Sequence, residues 1–256
     1  MVDVLKVREL NGGKVLASAY QDWQLEIPWL PEGKRYVLAQ IDDYMHLPRG
    51  KFPHQAPISL QLEACVSKED LTGTWGFGFW NDPFSFGLGA GGISRLLPVL
   101  PNAAWFFYGS NHNYLSLRDD QPASGFHAKI FRSPLLPSLL SLLAIPILPL
   151  FLWPAAVQFI RRNAKLLVKE AACFLPVSVT DWHTYRVVWR NDMVRFEIDQ
   201  NNVYTTKLSP LGKMGLVIWI DNQYFRFDPD GKFGFGFSQT PSAQALHIRN
   251  IKMSSD

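Results

Sequence analysis

Ile58-Ser-Leu-Gln-Leu-Glu-Ala-Cys-Val66 alternates without a break, with Ile58, Leu60, Leu62, Ala64 and Val66 on one side and Ser59, Gln61, Glu63 and Cys65 on the other. Successive side chains of a strand point to opposite faces, so this stretch is a strand with one buried face. The same period of two recurs at Tyr36–Ile41, Trp75–Asn81, Ala103–Tyr108, Tyr114–Leu117, Phe126–Phe131, Trp182–Trp189, Val194–Ile198, Val203–Leu208, Leu216–Phe225, Lys232–Phe237 and Ala245–Met253. Turn residues separate the runs, among them Gly50, Asp82-Pro83, Asn191-Asp192, Asn201-Asn202 and Asp228-Pro-Asp-Gly231. A dozen short strands with few helix signals must bury their apolar faces against one another, which predicts an all-β jelly-roll sandwich. The chain has 256 residues, a length one sandwich domain spans, so residues 1–256 read as a single domain. Val2–Leu10 and Trp23–Ile27 read as edge strands or as arms.

The totals restrict the function. Hydrophobic residues make up 47% of the chain, enough for a large core, and charged residues only 18%. Aromatics reach 14%, nine of them Trp, which suits strands, sugar-stacking surfaces and membrane interfaces alike. A net charge of +3 is too small to argue for nucleic acid. Met1–Leu10 lacks a basic stretch leading into an apolar run, so a signal peptide is not expected; Cys65 and Cys173 then read as reduced and buried, and the chain as intracellular. The six histidines show no metal-ligand spacing, so neither a metal nor a cofactor is expected.

Residues 133–173 break the strand pattern. No residue between Arg132 and Arg161 is charged, a run of 28. That would cross a bilayer, but Pro134, Pro137, Pro146, Pro149 and Pro154 oppose one straight helix, and strands on both sides belong to the same sandwich. The segment must therefore dip in and return, lie flat, or fold over the domain as a lid. From Pro154 the spacing turns helical: Ala156, Ile160, Ala164, Leu167 and Ala171 make one stripe, Gln158, Arg162, Lys165 and Lys169 the opposite face. A basic amphipathic helix beside an apolar run fits an anionic lipid surface. The expected contacts are Leu139, Leu140, Leu143, Ile147, Leu150, Phe151, Trp153, Arg161, Arg162 and Lys165, placing the protein peripherally on the cytoplasmic membrane face. The plainer alternative is a hairpin packed on its own domain or on an apolar protein partner.

Three stretches carry a family resemblance: Leu62-Glu-Ala-Cys-Val66 with Gly73-Thr-Trp-Gly-Phe-Gly-Phe-Trp80, Asp181-Trp-His-Thr-Tyr-Arg-Val-Val-Trp189 leading into Met193-Val-Arg-Phe-Glu-Ile-Asp199, and Ala245-Leu-His-Ile-Arg-Asn-Ile-Lys-Met253. Together they resemble the concanavalin-like sandwich of glycoside hydrolase family 16 from about Ile58 to the end, the 133–173 segment excepted. The resemblance implies a glycan-related fold. The family's chemistry implies a Glu-x-Asp-x-(x)-Glu strand whose nucleophile and acid stand about 5–5.5 Å apart in a retaining mechanism. The matching strand, Asn102-Ala-Ala-Trp-Phe-Phe-Tyr108, has no acidic residue, so no catalytic residue transfers.

Candidate ligand contacts lie where polar groups interrupt aromatic strands: Trp80, Asn81, Asp82, Trp105, Trp219, Asp221, Asn222 and Gln223, with His127 as a candidate acid or base. Each also has a purely structural reading, since a buried Asp or Asn must find hydrogen bonds from the protein if no ligand supplies them. Glu197 and Asp199 read as a solvated hairpin, and Asp228 with Asp230 as a turn. Gly87-Leu-Gly-Ala-Gly-Gly92 reads as a loop, not a phosphate site. Two functions follow. One is a non-catalytic binding module for a glycan, glycolipid or other amphiphile, docked on a membrane or apolar partner. The other is an isomerase, cyclase or hydrolase of a lipid-like substrate, which requires Asp82, Asp221 and Asn222 to converge in a pocket under the 133–173 segment.

Overall fold

The computed structural model describes residues 5–18, 22–83 and 97–255, without the side chains of 143–145 and 148. The loop at Gly87–Gly92 and Val2–Val4 of the first predicted arm lie outside them. Sixteen strands are described: β1 Lys6–Leu10, β2 Lys14–Ala17, β3 Trp23–Ile27, β4 Leu38–Asp42, β5 Ile58–Val66, β6 Thr74–Trp80, β7 Ala103–Gly109, β8 Gly125–Arg132, β9 Lys169–Phe174, β10 His183–Trp189, β11 Val194–Ile198, β12 Asn201–Thr206, β13 Gly215–Asp221, β14 Gln223–Phe227, β15 Phe233–Phe237 and β16 Gln244–Ser254. Two antiparallel seven-stranded sheets run β1-β4-β13-β6-β7-β8-β9 and β12-β11-β10-β5-β16-β3-β2, and β14–β15 is a separate hairpin. This is the jelly-roll sandwich that the alternation predicts.

The alternation places the core. In β5, Leu60, Leu62, Ala64 and Val66 face the other sheet. They meet Trp75, Phe77 and Phe79 of β6, Phe106 of β7 and Ile218 and Ile220 of β13. Phe106 and Tyr185 stack edge to face at 5.1 Å, and Trp75 lies flat on Phe126 at 4.9 Å. Aromatic pairs at such separations add to the free energy of burial itself.

Three elements differ from expectation. Leu216–Phe225 is two strands, because the chain turns at Asn222: Asp221 ends β13 and Gln223 starts β14 in the hairpin. Tyr114–Leu117 is not a strand; only a parallel bridge joins Tyr114 to Arg226. The helix α1 spans Pro154–Leu167, so Lys169 and Ala171 belong to β9. A 3-10 stretch, Ser138–Leu152, precedes it, because Pro146 and Pro149 prevent a continuous α-helix. Among the described residues no helix is long and apolar enough to cross a membrane.

Candidate functional site

The second face of the first sheet, turned away from the inter-sheet core, carries a second buried apolar cluster and gathers the aromatic candidates, with Trp105 and Trp219 buried and Trp80 half-buried. Strand register sets its rows. Gln40, Trp219, Gly76, Phe107 and His127 lie side by side, as do Asp42, Val217, Gly78, Trp105 and Lys129. Trp80, Ala103, Phe131 and Glu170 form the next row. Thr74-Trp-Gly-Phe-Gly-Phe-Trp80 sends Trp75, Phe77 and Phe79 into the core and leaves Gly76, Gly78 and Trp80 on this face. The room is used: a Cβ at Gly76 would stand 2.8 Å from the Trp219 ring, and one at Gly78 2.7 Å from the Trp105 Cβ. Trp80, Trp105 and Trp219 therefore cluster, at 5.3 Å for Trp105–Trp219, 5.6 Å for Trp80–Trp105 and 6.3 Å for the parallel pair Trp80–Trp219.

Their indole nitrogens differ. Trp80 Nε1 donates to the Tyr44 hydroxyl (2.7 Å) and Trp219 Nε1 to Thr74 Oγ1 (3.0 Å). Trp105 Nε1 is buried and finds no acceptor among the described residues. A buried donor without a partner costs about 1–3 kcal/mol, and the core Trp75 N–H is in the same state.

The acids on this face are taken up by the protein. Thr74 Oγ1 donates to Asp221 Oδ1 (2.8 Å), as do the Thr74 and Gln223 N–H groups, and the Tyr36 hydroxyl donates to Oδ2 (3.1 Å). Burial lifts the Asp221 carboxyl to about 7 against these donors, and burial followed by Asp221 pushes the Tyr36 phenol up. Asp42 accepts from Gln40 and from the Tyr44 and Met45 N–H groups, and burial raises its carboxyl. Glu170 accepts from Ser116 Oγ (2.8 Å) and the Leu117 N–H (2.5 Å). Lys129 sits 3.7 Å from Glu170, donates to the Leu115 carbonyl and is held below the usual lysine range by burial. Residues 114–118 are thus fastened over the β8–β9 side of the face. Tyr36, Gln40 and Asp42 were not among the sequence candidates; the alternation of Leu38-Ala-Gln-Ile-Asp42 carries the signal for the last two.

The remaining candidates have structural partners. Asn222 is fully buried, accepts from the Val37 N–H and donates to the Arg35 and Ser238 carbonyls. Asn81 bridges Leu100 and Asn102. Gln223 is half-buried in the hairpin. Arg49 donates twice to the Asp82 carbonyl, and Asp82 follows the Trp80 end of β6 whereas Asp221 is paired with Thr74 at the other. The two acids thus lie at opposite ends of β6, though the Asp82 charge still acts on the Tyr36 phenol that donates to Asp221. His127 is buried between the Gly125 and Pro122 carbonyls; burial, then the Lys129 charge, lowers it to about 4, so it is neutral at pH 7.

In the 133–168 excursion, Leu139, Leu140, Ile147, Leu150 and Trp153 are exposed, Arg162 is exposed, Phe151 and Lys165 are half-buried, and the Leu143 side chain lies outside the described ones. Arg161 is not at the surface. It is buried and donates to the Ser116 and Phe227 carbonyls (2.6 Å each) and to Asp119 (2.5 Å), with its guanidinium 5.2 Å from the Tyr114 ring. Lys165 pairs with the same Asp119. Phe159 and Leu166, absent from the expected contacts, are exposed instead. Cys65 is buried, Cys173 half-buried, and both are free thiols.

No family model and no curated protein matches the chain. Solved structures do. An endo-β-1,4-glucuronan lyase from the fungus Trichoderma reesei is 10% identical with a TM-score of 0.53, over 100% of this chain and 92% of the lyase. An immunostimulatory antigen and pseudo-β-1,3-glucanase of Mycobacterium tuberculosis is 11% identical with a TM-score of 0.50, over 94% of this chain and 78% of that one. At these identities the likeness is one of fold, and the fold it shows is the concanavalin-like jelly-roll sandwich.

Proposed function

We propose that the chain is a non-catalytic binding module that holds a glycan, or the glycan part of an amphiphile, on the tryptophan face of its first sheet, while residues 133–173 rest on a lipid surface or apolar partner at the cytoplasmic face of a membrane. One observation carries the reading: three clustered tryptophans, one whose N–H finds no acceptor among the described residues, occupy a face whose described acids Asp221, Asp42 and Glu170 are spent on protein donors. Sugar rings stack on such indoles, and a retaining hydrolysis would need two free carboxyls about 5–5.5 Å apart. The two named neighbours, a glucuronan lyase and a pseudo-glucanase, make β-1,4-glucuronan and β-1,3-glucan oligosaccharides the first probes. Calorimetric titration should show binding without release of shorter sugars, and Trp80→Ala should weaken it about tenfold. Hydrolysis, or binding that ignores Trp80, would sink the proposal.

The second reading, an enzyme for a lipid-like substrate, has one observation in its favour. The Asp221 carboxyl, lifted to about 7, meets the Tyr36 hydroxyl at the edge of the same face, and an acid of that strength can exchange protons at neutral pH.

A further inference from the structure

The β14–β15 hairpin has one aromatic face. Phe225 lies opposite Phe235 and Phe227 opposite Phe233, while Gly234 and Gly236 alternate with the phenylalanines of β15. The glycines give the other face to Tyr224, whose hydroxyl would stand 2.8 Å from a Cβ at Gly236. All three β15 phenylalanines therefore leave one side. Phe237 is covered by Tyr36 at 5.5 Å, but Phe233 and Phe235 remain 40% and 49% exposed. Residues 113–114 hold one edge of the hairpin, and bare aromatic surface of this extent on its face calls for a partner.

Several contacts join this hairpin to the 133–168 excursion. Phe151 packs on Phe233 with 4.2 Å between ring centroids. Arg161 of α1 holds the Phe227 carbonyl. The hairpin's turn lies against the start of α1, where a Cβ on Gly231 would fall 2.3 Å from the Pro154 carbonyl oxygen. The exposed surface thus runs on from Leu152, Trp153 and Phe159 to Phe233 and Phe235. Cations predominate along its border, where the half-exposed Asp119 pairs with Arg161 and Lys165 of α1. From Ser133 to Lys169 there is no acidic residue, and Arg162, Lys169 and Lys232 are exposed; Asp228 of the turn is buried against Arg226 and the Lys232 N–H, leaving Asp230 as its exposed acid. An apolar band with tryptophan and a cationic border matches a bilayer bearing anionic headgroups, and proline-broken segments too short to cross would enter it shallowly.

We infer that the β14–β15 hairpin, through Phe233 and Phe235, is a second lipid-inserting element that enters the same anionic bilayer surface as the segment around Leu152 and Trp153. This rests on the membrane part of the reading above. The test is flotation of the full chain with phosphatidylcholine vesicles and with phosphatidylcholine–phosphatidylserine vesicles. Wild type should float with the second kind. Phe233→Ser/Phe235→Ser should bind them roughly tenfold more weakly, as should Leu152→Ser/Trp153→Ser, whereas Phe233→Leu/Phe235→Leu should keep most of the binding. Lys232→Glu disturbs no packing, and it should cost several-fold on the anionic vesicles alone. If wild type does not float, or is dimeric in sedimentation through this face, the membrane reading and the inference both fall. If wild type and the hairpin variants float equally while Leu152→Ser/Trp153→Ser does not, the membrane reading stands and the inference falls. Loss of flotation in the leucine variant overturns it too, since leucine preserves the apolar surface.

Discussion

Asn222 shows how a polar residue in an apolar strand can be read two ways. It lies between β13 and the hairpin, and its side chain makes two hydrogen bonds to the segment before β4 and a third to Ser238 after β15, all to backbone. Removing it would leave the Val37 N–H and two carbonyls buried without partners. Asn222→Ala should therefore cost about 3 kcal/mol, while Gln223→Ala, half-buried next door, should cost under about 1 kcal/mol. Urea denaturation of both variants measures the gap, and equal effects would remove Asn222's structural role. Alternation along Trp219–Tyr224 shows which residues share a face of a strand. It cannot show that the strand stops at Asp221, because that stop depends on the Arg35 and Ser238 carbonyls, from segments far away in sequence. The same limit hid Tyr36 as the partner of Asp221. Trp80 shares the parity of Gly76 and Gly78 within its own strand, but only the register of the neighbouring strands brings Trp105 and Trp219 onto the same face.

At the scale of elements, the excursion between β8 and β9 divides into what period and charge reveal and what they do not. Its proline-broken apolar half and its helix from Pro154 follow from residue type alone. The inward face of the helix did not, because it is organised by a cation. Arg161 reaches under residues 114–119 and across to the hairpin, with its guanidinium against Tyr114 and Phe227. In sequence, Arg161 and Arg162 are indistinguishable; in the fold, one is a pin and the other is solvated. Breaking a buried hydrogen-bonded charge pair costs several kcal/mol, whereas an exposed arginine contributes little. Arg161→Met should thus destabilise the protein by about 3 kcal/mol and Arg162→Met by less than about 0.5 kcal/mol. Hydrogen exchange should rise at Tyr114–Asp119 and Phe225–Phe227 in the first variant only. Matching exchange in the two variants would mean that Arg161 fastens nothing.

Across the whole molecule, two of the titrating groups that the sandwich buries on one face, Asp221 and His127, act on stability in opposite directions. Asp221 holds its proton up to about pH 7, whereas an unfolded chain gives it up near 3.8. Between those values the folded state binds more protons, so this group's contribution is present at low pH and is lost as pH rises toward 7. His127 stays neutral down to about 4, whereas an unfolded histidine is protonated below 6.5. Its contribution is complete above 6.5 and is lost as pH falls toward 4. Each slope approaches about 1.4 kcal/mol per pH unit in mid-window. The two run against each other, so the wild-type curve conceals both, and difference curves reveal them. Subtracting Asp221→Asn from wild type cancels every other group, including Asp42, and should leave a stability that falls from pH 4 to 7. Subtracting His127→Asn should leave one that rises from pH 4 to 6.5. Denaturant midpoints taken at half-unit steps supply both curves. A flat Asp221 difference would mean that this carboxyl is ionised through the whole range, held by Thr74, Gln223 and Tyr36 strongly enough to outweigh its burial. The tryptophan face would then carry a fixed negative charge at its edge, which would favour cationic or hydroxyl-rich ligands there over acidic ones such as glucuronan.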